Sequence, residues 1–412
     1  MDNLRKRFRD LPRNVWAVSL TSFFMDISSE MVINLLPIFL LSVLGVRTAV
    51  IGLIEGVAES TASILKVFSG WFSDKLRSRK WIAVLGYGVS ALAKPFFLFA
   101  NSWGWVAGVR WADRVGKGIR TAPRDALVAD SIKENQRGIA FGFHRAADTG
   151  GAVLGLLIAA LILWLSQAGP QELGAATFRT VVWVSLIPAF LAVLSLALGA
   201  RETFIKKESA APKISFKRLG KPFLVFMLIV GLFDLGNSSD AFLILRAQER
   251  GMNVTSILVM LAAFNLVYAL TAAPAGDLSD RIGRRKVIIG GWIVYGLIYL
   301  GFALAQETWH IWGLYITYGL YYGLAYGTAK ALVADLVKPE LRGTAYGTYN
   351  ATLGLIDFPA SLIAGLLWQG VGRWQGFGPA APFLFGSALA FAAAILLWLW
   401  KPAKASDSHL AQ

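Results

Sequence analysis

Twelve apolar blocks of about 20 residues each, separated by polar and basic gaps, run the length of this chain, and about 20 helical residues are what a hydrocarbon layer roughly 30 Å thick demands. The blocks read as helices at 15–44, 49–72, 81–100, 103–128, 138–166 and 178–200, then at 222–246, 253–275, 286–306, 310–336, 343–368 and 381–400. Hydrophobic residues make up 56% of the chain, more than a soluble core needs. The expected class is an all-α, multi-pass membrane protein.

The formal net charge of +15 would raise the question of nucleic acid in a soluble chain. Here the basic residues fall in alternate gaps. One set holds Arg5, Lys6, Arg7, Arg9 and Arg13, then Lys75, Arg77, Arg79 and Lys80, then Lys133 and Arg137. A central cluster from Arg201 to Lys221 follows, then Arg281, Arg284, Arg285 and Lys286, then Lys338 and Arg342, and finally Lys401 and Lys404. The other set holds little beyond Arg47, Arg179, Arg250 and Arg373. The asymmetry puts both termini and the central loop in the cytoplasm, so the positive excess is a topology signal and no nucleic-acid partner is expected. A bacterial inner membrane is the expected location. The basic amino terminus leads into a long apolar run without a small-residue cleavage site, which reads as a retained first helix.

Residues 201–221 form the one long polar break, dividing the chain into an amino-terminal bundle (1–200), a cytoplasmic loop (201–221), a carboxyl-terminal bundle (222–400) and a cytoplasmic tail (401–412). The halves are copies. Gly70-Trp-Phe-Ser-Asp74-Lys75 with Arg79-Lys80 returns, 206 residues on, as Gly276-Asp-Leu-Ser-Asp280-Arg281 with Gly283, Arg284, Arg285 and Lys286. Ala126-Leu-Val-Ala-Asp130 returns 205 residues on as Ala331-Leu-Val-Ala-Asp335, and Ser28-Ser29-Glu30 is echoed by Ser238-Ser239-Asp240. Duplication of a six-helix unit is how one group of transporters is built, with the substrate site between the halves.

At these loops the chain resembles the major facilitator superfamily, whose signature between helices two and three is Gly-x-x-x-Asp-[Arg/Lys]-x-Gly-[Arg/Lys]-[Arg/Lys]. The second copy matches it in full; the first has Arg77 and Ser78 where the pattern has Gly and a basic residue. The resemblance implies twelve transmembrane helices in two pseudo-symmetric six-helix bundles. It also implies a cytoplasmic gate formed by Gly70, Asp74, Arg79, Lys80, Gly276, Asp280, Arg281, Gly283, Arg284 and Arg285. Arg110 and Gly116 fit the family's fourth-helix motif Arg-x-x-Gln-Gly-x-Gly, which implies a proton-transfer role for Arg110, while Asp113 and Arg114 depart from it. Gly142, Gly151 and Gly155 partly match the fifth-helix antiporter motif; Leu156, Ala159 and Ala160 do not.

Ionisable groups inside a bilayer are costly, about 2.5–3.5 kcal/mol each on insertion scales, and so must face a cavity or one another. On the fourth segment Arg110, Asp113, Arg114, Lys117, Arg120 and Arg124 share an arc of roughly 120°. Glu55, Glu59 and Lys66 share one face of the second, and Asp26 and Glu30 lie a turn apart on the first. Counted by depth, Asp26, Glu30, Glu59, Arg110 and Arg114 lie nearest the midplane and form the expected proton-coupling set. A carboxylate there takes up a proton while an arginine competes for it. Permanent ion pairs holding helices together are the alternative. The expected substrate cavity adds Glu55, His144 and Asp148 from the first half, and Asp234, Asn237, Tyr318, Tyr322 and Asn350 from the second. There, Tyr315, Tyr318, Tyr322 and Tyr326 form a stripe beside the seam Gly319, Gly323 and Gly327.

With no cysteine, three histidines and no phosphate-binding Gly-x4-Gly-Lys-[Ser/Thr] loop, no metal, cofactor or ATP-hydrolysing site is expected. The function expected is therefore non-enzymatic: a monomeric secondary transporter in the lipid bilayer, exporting a small organic or drug-like solute against protons. The alternatives are proton-coupled uptake of a nutrient or organic anion, and a lipid flippase. A sensor on a transporter fold would add a soluble domain, against which the tail after residue 400 is short.

Overall fold

The structure is a computed structural model describing residues 11–133, 136–166, 173–203, 219–338 and 341–400. The basic residues up to Arg9, the central stretch 204–218, the tail 401–412 and the side chain of Asp74 lie outside the described residues.

Each of the twelve apolar segments is helical. The first six are α1 (Arg13–Ile33), α2 (Thr48–Leu76), α3 (Lys80–Ala93), α4 (Trp103–Ser131), α5 (Arg137–Ser166) and α6 (Ala175–Gly199). The seventh segment is split into α7 (Gly220–Leu235) and α8 (Ala241–Glu249). Then come α9 (Val254–Ile282), α10 (Arg284–Leu304), α11 (Thr308–Asp335), α12 (Arg342–Gln369) and α13 (Ala381–Leu399). Beyond α1 the helix is interrupted at Asn34–Leu35 before Pro37, whose ring removes a donor, and resumes through a short π-helical turn, Phe39–Val43. Ser102 starts α4 by accepting a hydrogen bond from Trp105 N, and Glu307 with His310 forms a capping box on α11.

Among the described residues, nine helices are long and apolar enough to cross a membrane. The remaining three segments miss that measure for visible reasons: α4 carries the charged face, α7 and α8 are one segment broken in two, and α11 is rich in tyrosine, glycine and threonine. Large apolar side chains such as Phe68, Trp164, Leu198 and Leu228 stand exposed on the helices. Such a surface is stable against lipid and a liability in water.

The chain forms two compact units. One contains Met1–Val46, Val57–Pro212 and Asn253–Ala262; the other contains Arg47–Gly56, Lys213–Met252 and Ala263–Gln412. In the first, a core of Val15, Val18, Met25, Tyr87, Leu127, Ala140 and Leu196 is closed by α1 lying on α5. Gly151 and Gly155 permit that approach, since a methyl group on either would collide with the Phe23 or Ile27 carbonyl oxygen on either side of Asp26. In the second, Gly319 and Gly323 do the same for α11 against Phe264 and Thr271 of α9, while Gly327 faces open space.

Candidate functional site

Four charged side chains meet between α2 and α4. Arg110 and Arg114, a turn apart on α4, each reach Oε1 of Glu59 at 3.2 Å. Asp113 sits between the two guanidinium groups, 3.7 Å from Arg110 and 3.3 Å from Arg114. Removing one partner from such an ion-paired set typically costs about 3–5 kcal/mol. Exposure singles out one member: the side chains of Arg110, Arg114 and Asp113 are 2%, 5% and 4% exposed, but that of Glu59 is 34% exposed. Glu59 is thus the more exposed of the two carboxylates.

The other two acids of the expected proton-coupling set are placed elsewhere. Glu30 accepts from Asn34 Nδ2 of its own segment at 2.7 Å. Asp26 has Asp148, Glu30, Arg120 and Arg124 as electrostatic neighbours. His144 is buried, with Nδ1 3.7 Å from Asp148 Oδ1, beyond hydrogen-bond reach. Glu55, 4% exposed, belongs with residues 47–56 to the second unit.

Lys94 escaped the sequence reading. It is 1% exposed and donates to Ser28 Oγ at 2.6 Å and Ser29 Oγ at 3.1 Å, beside Met25 Sδ. A lone lysine inside an apolar span was the available signal. Lys94 lies inside the segment expected as one helix at 81–100, where α3 gives way to a 3₁₀ turn, Lys94–Phe99. Arg120 also engages neutral groups, donating to Ser90 Oγ and lying 4.6 Å above the Tyr87 ring.

At the basic loops the duplication produces one triad twice. Arg79 donates to Ser73 Oγ at 2.6 Å and pairs with Asp130 at 3.3 Å. Arg284 donates to Ser279 Oγ at 3.1 Å and pairs with Asp335 at 2.8 Å. Arg284 also holds Asp280 at 2.7 Å; Arg281 pairs with Asp277, and Arg285 donates to Trp398 O. The position between helices has positive φ in both copies: +97° at Gly283 and +54° at Arg77, which occupies the place where the signature has glycine.

Glu202, just past α6, was not singled out from sequence either. It accepts from Arg79 N at 2.7 Å, Lys80 N at 3.0 Å and Ser78 Oγ at 2.8 Å, capping α3. Partial burial works against its ionisation, but the hydrogen bonds from Lys80, Arg79 and Ser78 outweigh it and hold the carboxyl below the usual glutamate range.

The second unit has a different chemistry. Helix α7 ends at Leu235, the backbone runs unwound through Gly236, Asn237, Ser238 and Ser239, and α8 starts after Asp240. Tyr318 donates to Asp240 at 3.1 Å, and Tyr295 donates to Gly236 O at 3.1 Å and Asn237 Oδ1 at 3.2 Å. The Tyr318 and Tyr322 rings meet edge to face at 5.2 Å. Asn350 turns back on its own helix, donating to Tyr346 O. The 205-residue offset carries Arg110, Asp113 and Lys117 of α4 onto Tyr315, Tyr318 and Tyr322 of α11, so the two copies place charge and phenol at equivalent positions.

A groove of about 620 Å³ also lies along α1, α5 and α6, lined by apolar residues such as Trp16, Leu20 and Phe143. Its one charged lining residue, Arg13, is committed to the Leu198 and Gly199 carbonyls. That groove suits acyl chains and is separate from the charged groups.

A multi-pass helical chain of two sequence-related halves, with ionisable groups buried inside its helices, defines a membrane transporter rather than an enzyme. The model of the Major Facilitator Superfamily matches residues 18–239 and again 224–411, and the chain belongs to that family. It is 38% identical over 396 residues to an uncharacterized MFS-type transporter of Methanocaldococcus jannaschii, covering 94% of this chain and 95% of the relative. It is 25% identical to the multidrug resistance protein MdtG of Salmonella paratyphi C, over 73% of this chain and 74% of that protein. Among solved structures it resembles the nucleoside transporter NupG, with a TM-score of 0.73 at 14% identity, covering 94% of this chain and 100% of that one.

Proposed function

We propose that this chain is a proton-coupled secondary transporter that exports a small organic solute by alternating access. In this reading it lies in the cell membrane with its basic loops and both termini on the cytoplasmic side. The observation that carries the reading is Glu59, accessible and bridging the buried Arg110 and Arg114. Protonating Glu59 removes the carboxylate that both guanidinium groups share, which favours rearrangement of α4 against α2. Releasing the proton on the other side restores the four-charge set. Asp26, near Arg120 and Arg124, is a second candidate carrier. The Ser–Arg–Asp triads at the basic loops serve as latches of one conformation. The name of the multidrug-resistance relative supports export.

The test uses proteoliposomes loaded with a pH-reporting dye and offered a panel of organic cations, anions and neutral solutes under proton gradients of either sign. Export against protons requires solute-dependent proton movement that Glu59→Gln abolishes while the variant remains folded. Proton movement in the same direction as the solute would establish uptake instead, and undiminished coupling in Glu59→Gln and Asp26→Asn together would refute the carrier assignment.

A further inference from the structure

Asp234, in the last turn of α7, is 6% exposed, and its Oδ2 has no hydrogen-bond partner among the described residues. No lysine or arginine pairs with it there. Its neighbours are a second acid, Asp357, the side chain of Asn237, which hydrogen-bonds the carboxyl group, and the phenols of Tyr321 and Tyr349. A buried carboxylate without a counter-charge is among the most costly groups a fold can hold, so this oxygen is open to a proton or to a cationic partner from outside the chain.

The surroundings are suited to a positive one. The rings of Tyr295 and Tyr299 stack at 4.0 Å, and Tyr321 meets Tyr295 at 4.8 Å and Tyr318 at 5.5 Å. Aromatic faces carry negative potential and attract ammonium groups. The break after Leu235 also brings the carboxyl end of α7, the negative end of its dipole, to the same place. The first unit offers the contrast: at the equivalent α4 positions Arg110 and Lys117 supply cations of the chain's own, whereas α11 supplies only tyrosines. The nearest lysine on α11, Lys330, lies over Tyr326, and Arg246 of α8 is spent on the Phe302 and Ala303 carbonyls and Glu249.

We propose that the gap between α7 and α8, with Asp234 and the rings of Tyr295, Tyr299, Tyr318 and Tyr321, is a subsite for the positively charged amine of an organic cation. This rests on the reading of the chain as a solute transporter, whose opening gives the amine its access to Asp234. Asp234 pairs with the ammonium charge, the rings cover it, and the rest of the solute sets affinity through apolar contact. Asp240, already bonded to Tyr318, positions that ring.

The experiment is equilibrium binding of benzyltrimethylammonium to the purified full chain, against its uncharged isostere neopentylbenzene and against D-xylose. Saturable binding of the ammonium is expected, about tenfold or more tighter than that of the isostere. Asp234→Asn should weaken it about tenfold, Asp234→Glu should retain most of it, and Tyr321→Leu should weaken it without touching the carboxylate. If Asp234→Asn fails to fold, Tyr321→Leu and the isostere ratio still decide. Equal binding of ammonium and isostere, preference for the sugar, no ammonium binding, or unchanged affinity in a folded Asp234→Asn would each overturn the proposal. Ammonium binding by a native chain that shows no solute-driven proton movement would refute the coupling reading and leave this one standing; intact coupling without ammonium binding would do the reverse.

Discussion

Arg284 Nε lies 2.8 Å from Asp335 Oδ2, tying the loop signature to the end of α11, and Arg79 with Asp130 repeats the contact in the first unit. The signature's arginine is therefore a connector between a loop and the last turn of a helix more than fifty residues away in sequence. Because both groups of the second pair are partly exposed, the interaction is worth at most about 1 kcal/mol. A contact that weak is readily made and broken, as the latch role proposed above requires. Arg284→Ala and Asp335→Ala should each lower the unfolding midpoint only slightly. Their double mutant should lose less than the two singles together, with a coupling of about 0.5–1 kcal/mol measured by a double-mutant cycle in detergent.

Position 77 is the strained counterpart of Gly283. A side chain at positive φ costs roughly 1–2 kcal/mol, offset in part by glycine's greater freedom when unfolded. Arg77→Gly should therefore leave the midpoint unchanged or raise it, and Gly283→Ala should lower it, since φ of +97° with ψ of +135° lies outside the region open to alanine. A clear loss in Arg77→Gly would show that the arginine side chain contributes more than its backbone strain removes.

The twelve segments, the duplication and the charged stripe on α4 were legible from sequence because hydrophobic blocks, repeated words and helical spacing are local properties. Partner choice was not. Asp26, Glu30 and Glu59 looked alike by depth, yet Glu59 alone meets Arg110 and Arg114, because which faces of α1 and α2 confront α4 depends on helix rotation set by tertiary packing. Lys94 is the only charged residue in the segment 81–100, so no charged face marks it, and Glu202 stands at the edge of a loop that reads as solvent. The break at Gly236–Asp240 falls on the turn-forming run Gly-Asn-Ser-Ser-Asp, a signal outweighed in the sequence by the apolar residues on both sides of it, which read as one helix at 222–246.

Glu202 gives the loop a definite response to acid. Its carboxyl titrates below the ordinary glutamate value in the folded chain, so its contribution to stability is complete above the unfolded value and disappears as pH falls through the depressed folded value. The midpoint difference between the native chain and Glu202→Gln should accordingly be constant near neutrality and shrink below about pH 4.5. Thermal melts across that range check the sign: a difference that grew on acidification would contradict the capping role.

Within the second unit, the first turns of α2 rest on α12. Thr48 N donates to Gln369 Oε1 at 2.9 Å, and a Cβ on Gly56 would lie 2.9 Å from the Phe358 Cα. Gly52 meets the Ser361 carbonyl still more closely. Leucine at either site must push two helix backbones apart, an overpacking cost of typically 1–3 kcal/mol. Gly56→Leu should lower the unfolding midpoint distinctly more than Gly104→Leu, whose site faces open space. Equal effects would mean that glycine's intrinsic helix propensity, not the helix approach, governs both.

Lys94 separates stability from function most cleanly. Its ammonium is held by the Ser28 and Ser29 hydroxyls, and Ser28 in turn donates to the Ser185 carbonyl at 2.6 Å. Removing the amine therefore leaves Ser28 with its donor still satisfied. It also relieves the desolvation of a cation for which no carboxylate lies within ion-pair distance among the described residues. Methionine matches the side chain in length, and replacing a buried charge by a well-packed apolar group is often neutral or stabilising. Lys94→Met should keep the unfolding midpoint within the equivalent of about 1 kcal/mol of the native chain. Solute-driven proton movement in proteoliposomes should nevertheless fall, because Lys94 has Asp113, a member of the four-charge set, among its electrostatic neighbours, and neutralising it changes the potential at the proposed proton carrier, Glu59. A Lys94→Met protein that unfolds outright would make the lysine a pillar of the bundle, and one that transports at the native rate would remove it from the mechanism.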